Sequence, residues 1–257
     1  MYLTPVPSQE KIEDYYTLKK YYPHILGNYF IEKFELAITK ELKILSNMLP
    51  GKILDVGCGS GKIIAVLEKL GWDVYGIDLS SRAIENAKKR GLKKVYVGEL
   101  TNFHFPKKYF DVVLMRHVIE HIHNPNDYLS HINKILKDDG LLIISVPNIN
   151  SREFKIFREY WYQLDVPRHL HFFNIHTLSK LLSNNKFNVI NKYEDYRPFF
   201  SLSRSLVNLV NGYLCSSEKR KHKFKILIDN PIFHLIMLLL FFYLHLDTSI
   251  IVIAKKV

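Results

Sequence analysis

The sequence predicts an open α/β fold, a mostly parallel sheet of seven strands with helices on both faces. Three observations carry that expectation. Short apolar runs alternate with stretches of helical periodicity along most of the chain, as in a series of βαβ units. An early run, residues 53–56, stops at three glycines in alternate positions, Gly57, Gly59 and Gly61, and a helix-period segment follows at once. A second run ends in an acid, Asp78, about twenty residues after the first glycine, the spacing of a nucleotide-binding unit.

Composition narrows the class. With 257 residues, 47% of them hydrophobic, the chain suits one sizeable domain with a full core. Its two cysteines, Cys58 and Cys215, form neither a disulfide framework nor a zinc cluster and suit a reducing, cytoplasmic compartment. The first residues lack the basic and apolar blocks of a signal peptide. The net charge of +11 reflects lysine spread throughout, and with no RNA-binding motif in view it argues for no nucleic-acid partner.

Strand, glycine turn and helix build a ligand-binding corner, because glycine lets a ligand approach the backbone and the helix start presents unpaired N–H groups. Spacing separates the glycine motifs that use such a corner. A dinucleotide fingerprint needs glycine at 62, where Lys62 stands. A P-loop needs glycine at 56 and Ser or Thr at 63, where Val56 and Ile63 stand. What remains, Asp55-Val-Gly57-Cys58-Gly59-Ser-Gly61, resembles the first motif of class I S-adenosylmethionine-dependent methyltransferases. The resemblance implies a Rossmann-like sheet whose last strand is antiparallel. It places the methionine end of S-adenosylmethionine at Asp55, Gly57, Cys58, Gly59 and Gly61, and the ribose at Asp78 and Leu79.

The motifs that follow keep the order of that family from Gly51 to Asn148. Residues 95–97 read as a third strand leading to Glu99 and Leu100, which the resemblance puts beside the adenine. Residues 109–115 form a fourth, and its carboxyl end brings Arg116 and His117 to the cofactor crevice. The segment His117-x-x-Glu120-His121 matches a zinc-binding H-x-x-E-H pattern. "VIEHI" after "FDVV" is closer to the methyltransferase segment, so no metal is expected there, and His121 reads as a packing residue. Residues 126–136 form an amphipathic helix, Asp138-Asp139-Gly140 a turn and residues 141–148 a fifth strand.

The remaining segments should serve the acceptor. Residues 1–50 read as a helical cap, with helix periodicity over 29–38. The stretch 160–173 gathers aromatics, Arg168, His169 and His171, and "D-x-P-R-H-L-x-x-F" resembles small-molecule methyltransferases, among them ubiquinone-biosynthesis-like ones and those modifying cell-surface glycans or lipids. A helix over 175–182 and strands at 188–190 and 249–254 complete the set, with a helical insertion at about 197–247 before the last strand. That insertion holds a basic cluster, Lys219 to Lys225, and an apolar run over 231–244. The run is short of the roughly twenty residues a span needs. It reads as a cavity-lining helix, or as a peripheral contact of residues 219–244 with acidic lipid at the inner face of a membrane.

The expected reaction is O-methylation of a small or lipid-linked acceptor such as a sugar or quinone precursor. His169 is the first candidate base, followed by His171 and His117, since histidine can take a hydroxyl proton near neutral pH. C- or N-methylation, or a non-catalytic scaffold that keeps the fold, stand as alternatives. The oligomeric state is left open.

Overall fold

A computed structural model describes residues 3–8, 39–195, 199–214 and 247–257. Seven strands make one sheet: β1 (Lys52–Val56), β2 (Asp73–Asp78), β3 (Val95–Val97), β4 (Phe110–Arg116), β5 (Leu136–Pro147), β6 (Phe187–Asp195) and β7 (Ser249–Lys256). Their order is β3-β2-β1-β4-β5-β7-β6. The pairs β1–β2, β1–β4, β2–β3 and β4–β5 are parallel, while β7 runs antiparallel to both β5 and β6. The mostly parallel sheet with an antiparallel last strand is therefore as expected. From β1 the chain builds one way to β2 and β3, then returns to add β4 and β5 on the other side. That reversal opens a crevice at the carboxyl ends of β1 and β4.

Helices cover both faces because the central strands are apolar on both sides. Alternate residues point to opposite faces of a strand, which sorts the core into two clusters. On one side Leu54, Val113 and Met115 pack with Leu129 and Ile132 of α4 (Pro125–Ile135) and Leu178 and Leu182 of α6 (Ile175–Asn184). On the other, Ile53, Val112 and Leu114 meet Ile63, Ile64 and Leu67 of α2 (Lys62–Lys69) and Ile84 and Ala87 of α3 (Ser81–Lys89). Local signals set the helix ends. Ser80 caps α3 by accepting a hydrogen bond from the Ala83 N–H, and Asn174 and Thr177 form a reciprocal capping box on α6.

A smaller cluster stands apart. Phe157 of α5 (Arg152–Phe157), Trp161 and Leu202 of α7 (Phe199–Leu214) bury one another and carry the 160–173 loop above the sheet.

Three departures from expectation have physical reasons. β5 begins at Leu136, five positions before the expected start, because Phe110 pairs Leu136 and Val112 pairs Leu141; Asp138-Asp139-Gly140 sits in the bulge between. β6 runs to Asp195 because β7 offers it partners as far as Ser249, support that residues 188–195, largely polar, do not advertise. Near the N-terminus, the described helix is α1 (Lys40–Ser46), whereas the periodic run 29–38 lies outside the described residues. The basic cluster 219–225 and the apolar run 231–244 also lie outside them. Among the described residues, no helix is long and apolar enough to cross a membrane.

One glycine ties the turn after β1 to the loop after β4. Gly57 has φ +75°, and a Cβ there would stand 2.3 Å from Cγ2 of Val118. Gly57→Ala should therefore cost about 2–3 kcal/mol from strain and overpacking. Denaturant unfolding checks this, and a wild-type midpoint would contradict the close approach.

Candidate active site at the carboxyl edge of the sheet

The residues singled out in the sequence converge on one edge. Asp55 is the penultimate residue of β1, Asp78 the last of β2, and Arg116 the last of β4. The glycine turn is clamped to β2 through its backbone: the N–H groups of Gly57 and Cys58 both donate to the Ile77 carbonyl at 2.8 and 3.0 Å. Asp78 receives the Gly59 N–H on one oxygen at 2.8 Å and the Ser80 N–H on the other at 2.9 Å. Both oxygens are thus oriented while keeping lone pairs for a ligand's hydroxyls. Glu99 follows β3 half-buried, and Tyr128 of α4 comes beside it, its phenol hydrogen-bonded to the backbone of Leu100. Leu79 is 64% exposed at the rim, whereas Leu100 and Cys58 turn their side chains into the core and offer a ligand main chain alone.

Acidity dominates the floor of the crevice. Glu41 of α1 is wholly buried and accepts from Arg116 Nε at 3.3 Å and from the Ser145 hydroxyl. Asp55 is 3% exposed, and burial pushes its carboxyl up to about 7 from 3.8; Arg116 opposes this, while Asp78 and Glu41 add to it. Burial likewise raises the Asp78 carboxyl, against the N–H groups of Ser80 and Gly59. The Cys58 thiol is raised by burial and then by Asp55 and Asp78, so it is a packing group and not a nucleophile.

S-adenosylmethionine fits these residues. Three carboxylates around one guanidinium favour a cationic ligand. Asp55 Oδ1 is buried with no hydrogen-bond partner among the described residues. A Cβ built on Gly59, at φ +55°, would meet nothing within 4 Å, so the turn opens into space a ligand can fill.

The candidate bases separate clearly. His117 has a left-handed backbone (φ +54°), its N–H donates to the Ser145 carbonyl at 2.9 Å, and its side chain is 31% exposed. Its Nδ1 lies 3.3 Å from Oε1 of Glu120, a wholly buried carboxylate. His169 is instead 7% exposed, Nδ1 donates to the Gln163 carbonyl at 2.8 Å, and burial lowers its basicity to about 4. His171 is half-buried with Nε2 against the Ile122 carbonyl at 2.9 Å, and burial lowers its basicity too. Arg168 pairs with Asp165. An open cavity of about 460 Å³ is lined by Lys40, Asn148, Asn174, Lys192, Tyr193 and Glu194 among others.

Sequence reasoning missed Glu41, Ser145 and Tyr128. Glu41 lies in Lys40-Glu41-Leu42-Lys43, which reads as an exposed helix face; only α1 packing over the ends of β4 and β5 buries it. Ser145 sits inside an apolar strand, where a lone hydroxyl is the one available hint.

Asp55 also sets a pH dependence. A ligand ammonium favours the ionised carboxylate, so binding below pH about 7 must displace a proton. S-adenosylmethionine affinity should rise several-fold between pH 6 and 8, and Asp55→Asn should flatten that rise; calorimetry at a series of pH values checks it. On fold stability the sign reverses: the raised acid contributes fully below its unfolded value of 3.8, and that contribution is lost as pH climbs through about 7.

Comparison with known proteins agrees with this geometry. The Methyltransferase domain family matches residues 30–192. Ubiquinone biosynthesis O-methyltransferase of Pelagibacter ubique is 36% identical over 124 residues, 46% of this chain and 52% of that protein. Phosphoethanolamine N-methyltransferase 1 of Arabidopsis thaliana is 35% identical over 144 residues, 52% of this chain and 29% of that protein. The chain thus spans about half the length, or less, of these curated relatives. Among solved structures, a SAM-dependent methyltransferase from Aquifex aeolicus shares the fold at TM-score 0.53 and 18% identity, over 89% of this chain and 98% of that one. So does Haemonchus contortus phosphoethanolamine N-methyltransferase 2 in complex with S-adenosyl-L-methionine, at TM-score 0.57 and 20% identity, over 87% of this chain and 52% of that one. This chain belongs to the methyltransferase domain family, in its class I, S-adenosylmethionine-dependent form.

Proposed function

We propose that the chain transfers the methyl group of S-adenosylmethionine to a hydroxyl oxygen of a small or lipid-linked acceptor, with His117 as the base. The bound cofactor supplies an electrophilic methyl carbon on a sulfonium. The protein's contribution is to hold the acceptor oxygen in line with it and to take the oxygen's proton. The observation that carries this reading is the placement of His117. It stands at the end of β4, next to Arg116 in the cofactor crevice, partly exposed, with the buried Glu120 carboxylate 3.3 Å behind Nδ1. That carboxylate can hold the ring with Nδ1 protonated and Nε2 turned to the acceptor, the division of labour of a catalytic histidine–carboxylate pair. His169, favoured by sequence alone, is too buried and too weakly basic for the role.

The acceptor side supports a hydroxyl-bearing, polar substrate. Asparagines and lysines are prominent in the wall of the 460 Å³ cavity, and such groups can bind sugar or phenol oxygens. The relatives named for ubiquinone biosynthesis are O-methyltransferases, which favours oxygen over nitrogen or carbon. A lipid-linked acceptor would also suit the basic cluster 219–225 and the apolar run 231–244, read as a surface that meets acidic lipid.

Methyl-labelled S-adenosylmethionine, offered with catechol, phenol and sugar acceptors, tests the reading. The label should appear as a methyl ether. His117→Asn should lower kcat by about 10²–10⁴-fold, the usual share of a general base, with little change in S-adenosylmethionine affinity. Label on nitrogen or carbon, or full turnover by His117→Asn, would contradict the assignment.

A further inference from the structure

A second constellation adjoins the crevice and shares one residue, Glu120, with the proposed His117 pair. Two imidazoles and a carboxylate meet there: Glu120 and His121 from the turn after β4, and His169 from the 160–173 loop. Ligand atoms of the three lie within 4.8 Å of one another. The rings of His121 and His169 stand edge to face with centroids 4.6 Å apart.

Hydrogen bonding fixes the ring tautomers. His121 Nδ1 lies 3.0 Å from the Arg168 carbonyl, and His169 Nδ1 lies 2.8 Å from the Gln163 carbonyl. A carbonyl oxygen can only accept, so each Nδ1 carries a proton, and in a neutral ring Nε2 then presents a lone pair. A main-chain carbonyl holding one nitrogen while the other faces inward is the usual arrangement of a metal-ligating histidine.

Glu120 supplies the second observation. Its side chain is buried; His117 Nδ1, 3.3 Å from Oε1, helps hold the carboxyl in its ionised form, while Oε2 has no hydrogen-bond partner among the described residues. A buried ionised carboxylate with an unpartnered oxygen is expensive in a protein interior unless a cation joins it. Its own backbone is already committed to the same loop, since the Glu120 carbonyl accepts the N–H groups of Leu170 and His171 at 2.8 and 3.1 Å. A further carboxylate oxygen, Asp165 Oδ2, stands 3.9 Å from Nε2 of His169.

We infer that Glu120, His121 and His169 form a binding site for a divalent transition-metal ion of the zinc type, which pins the acceptor-side loop to the turn after β4. Mixed imidazole and carboxylate ligands are the donor set such ions take. At metal–ligand distances of about 2.1 Å, ligand atoms in a tetrahedral site stand about 3.4 Å apart, so atoms that lie within 4.8 Å of one another need close by about 1.4 Å at most. The H-x-x-E-H pattern pointed to His117 and His121 on one helix. The fold replaces His117 with His169 from a distant segment, which leaves His117 to the crevice. One ligand, Glu120, adjoins the proposed base, yet metal binding is read independently of methyl transfer.

Untagged full-length protein, stripped with a chelator and titrated with ZnCl2 and separately with CoCl2, tests the site. The expected result is one equivalent bound per chain, visible absorption from a four-coordinate cobalt centre, and a higher Tm with zinc than in chelator. His169→Gln and Glu120→Gln should each weaken binding by at least tenfold, while His117→Gln leaves it intact. The absence of saturable binding to the wild-type protein would overturn the proposal without reference to any variant. Unchanged affinity in His169→Gln, or loss on His117→Gln, would overturn the ligand set.

Discussion

The burial of acid at the point where the sheet reverses direction is the constraint on which the site depends. Glu41, Asp55 and Asp78 approach one another with Arg116 as the counter-charge, and burial, with a smaller push from the neighbouring acids, raises the Asp55 carboxyl from 3.8 to about 7. Such an arrangement costs stability in the free protein, because ionising a buried carboxylate loses its hydration. It becomes favourable once a cationic ligand lies across it. The strands make the arrangement unavoidable: parallel β1, β2 and β4 end on the same edge, and each ends at or next to a charged residue. Gly57 then brings the turn hard against Val118, and Gly59 keeps the space above the acids open.

A second set of contacts joins chemistry to specificity. Glu120 faces His117 on one side and the His121–His169 pair on the other, while its backbone carries Leu170 and His171. The turn after β4 and the acceptor-side loop are therefore one mechanical unit. A change in that loop should be felt at His117 through a single buried carboxylate. Trp161 and Phe157 anchor the far end of the loop against α7, so it is held at both ends.

Most of the fold was legible because parallel strands buried on both faces write themselves as apolar runs and because glycine and acid positions punctuate them. The seven-stranded sheet and its antiparallel last strand followed from the resemblance carried by Asp55 to Gly61 and Asp78. The legible part of the site was equally local: residues at strand ends, where spacing encodes position. What escaped is what only packing creates. Glu41 looks like surface helix until α1 covers β4 and β5. What favours His117 over His169 as the proposed base is invisible in "VPRHLHF", since burial and a carbonyl partner, not residue type, set how available each imidazole is. The metal pattern was half legible: Glu120 and His121 were in it, but its third member came from forty-eight positions away.

The central claim is that this edge is built to hold S-adenosylmethionine through Asp78. Calorimetric titration of the cofactor into the wild-type chain and into Asp78→Ala, with NAD as control, tests it most directly. The account predicts micromolar-order binding by the wild type, a loss of at least tenfold in the variant, about 1.4 kcal/mol, and no heat from NAD. Equal affinity in both proteins, or no binding of S-adenosylmethionine or its demethylated product, would contradict it.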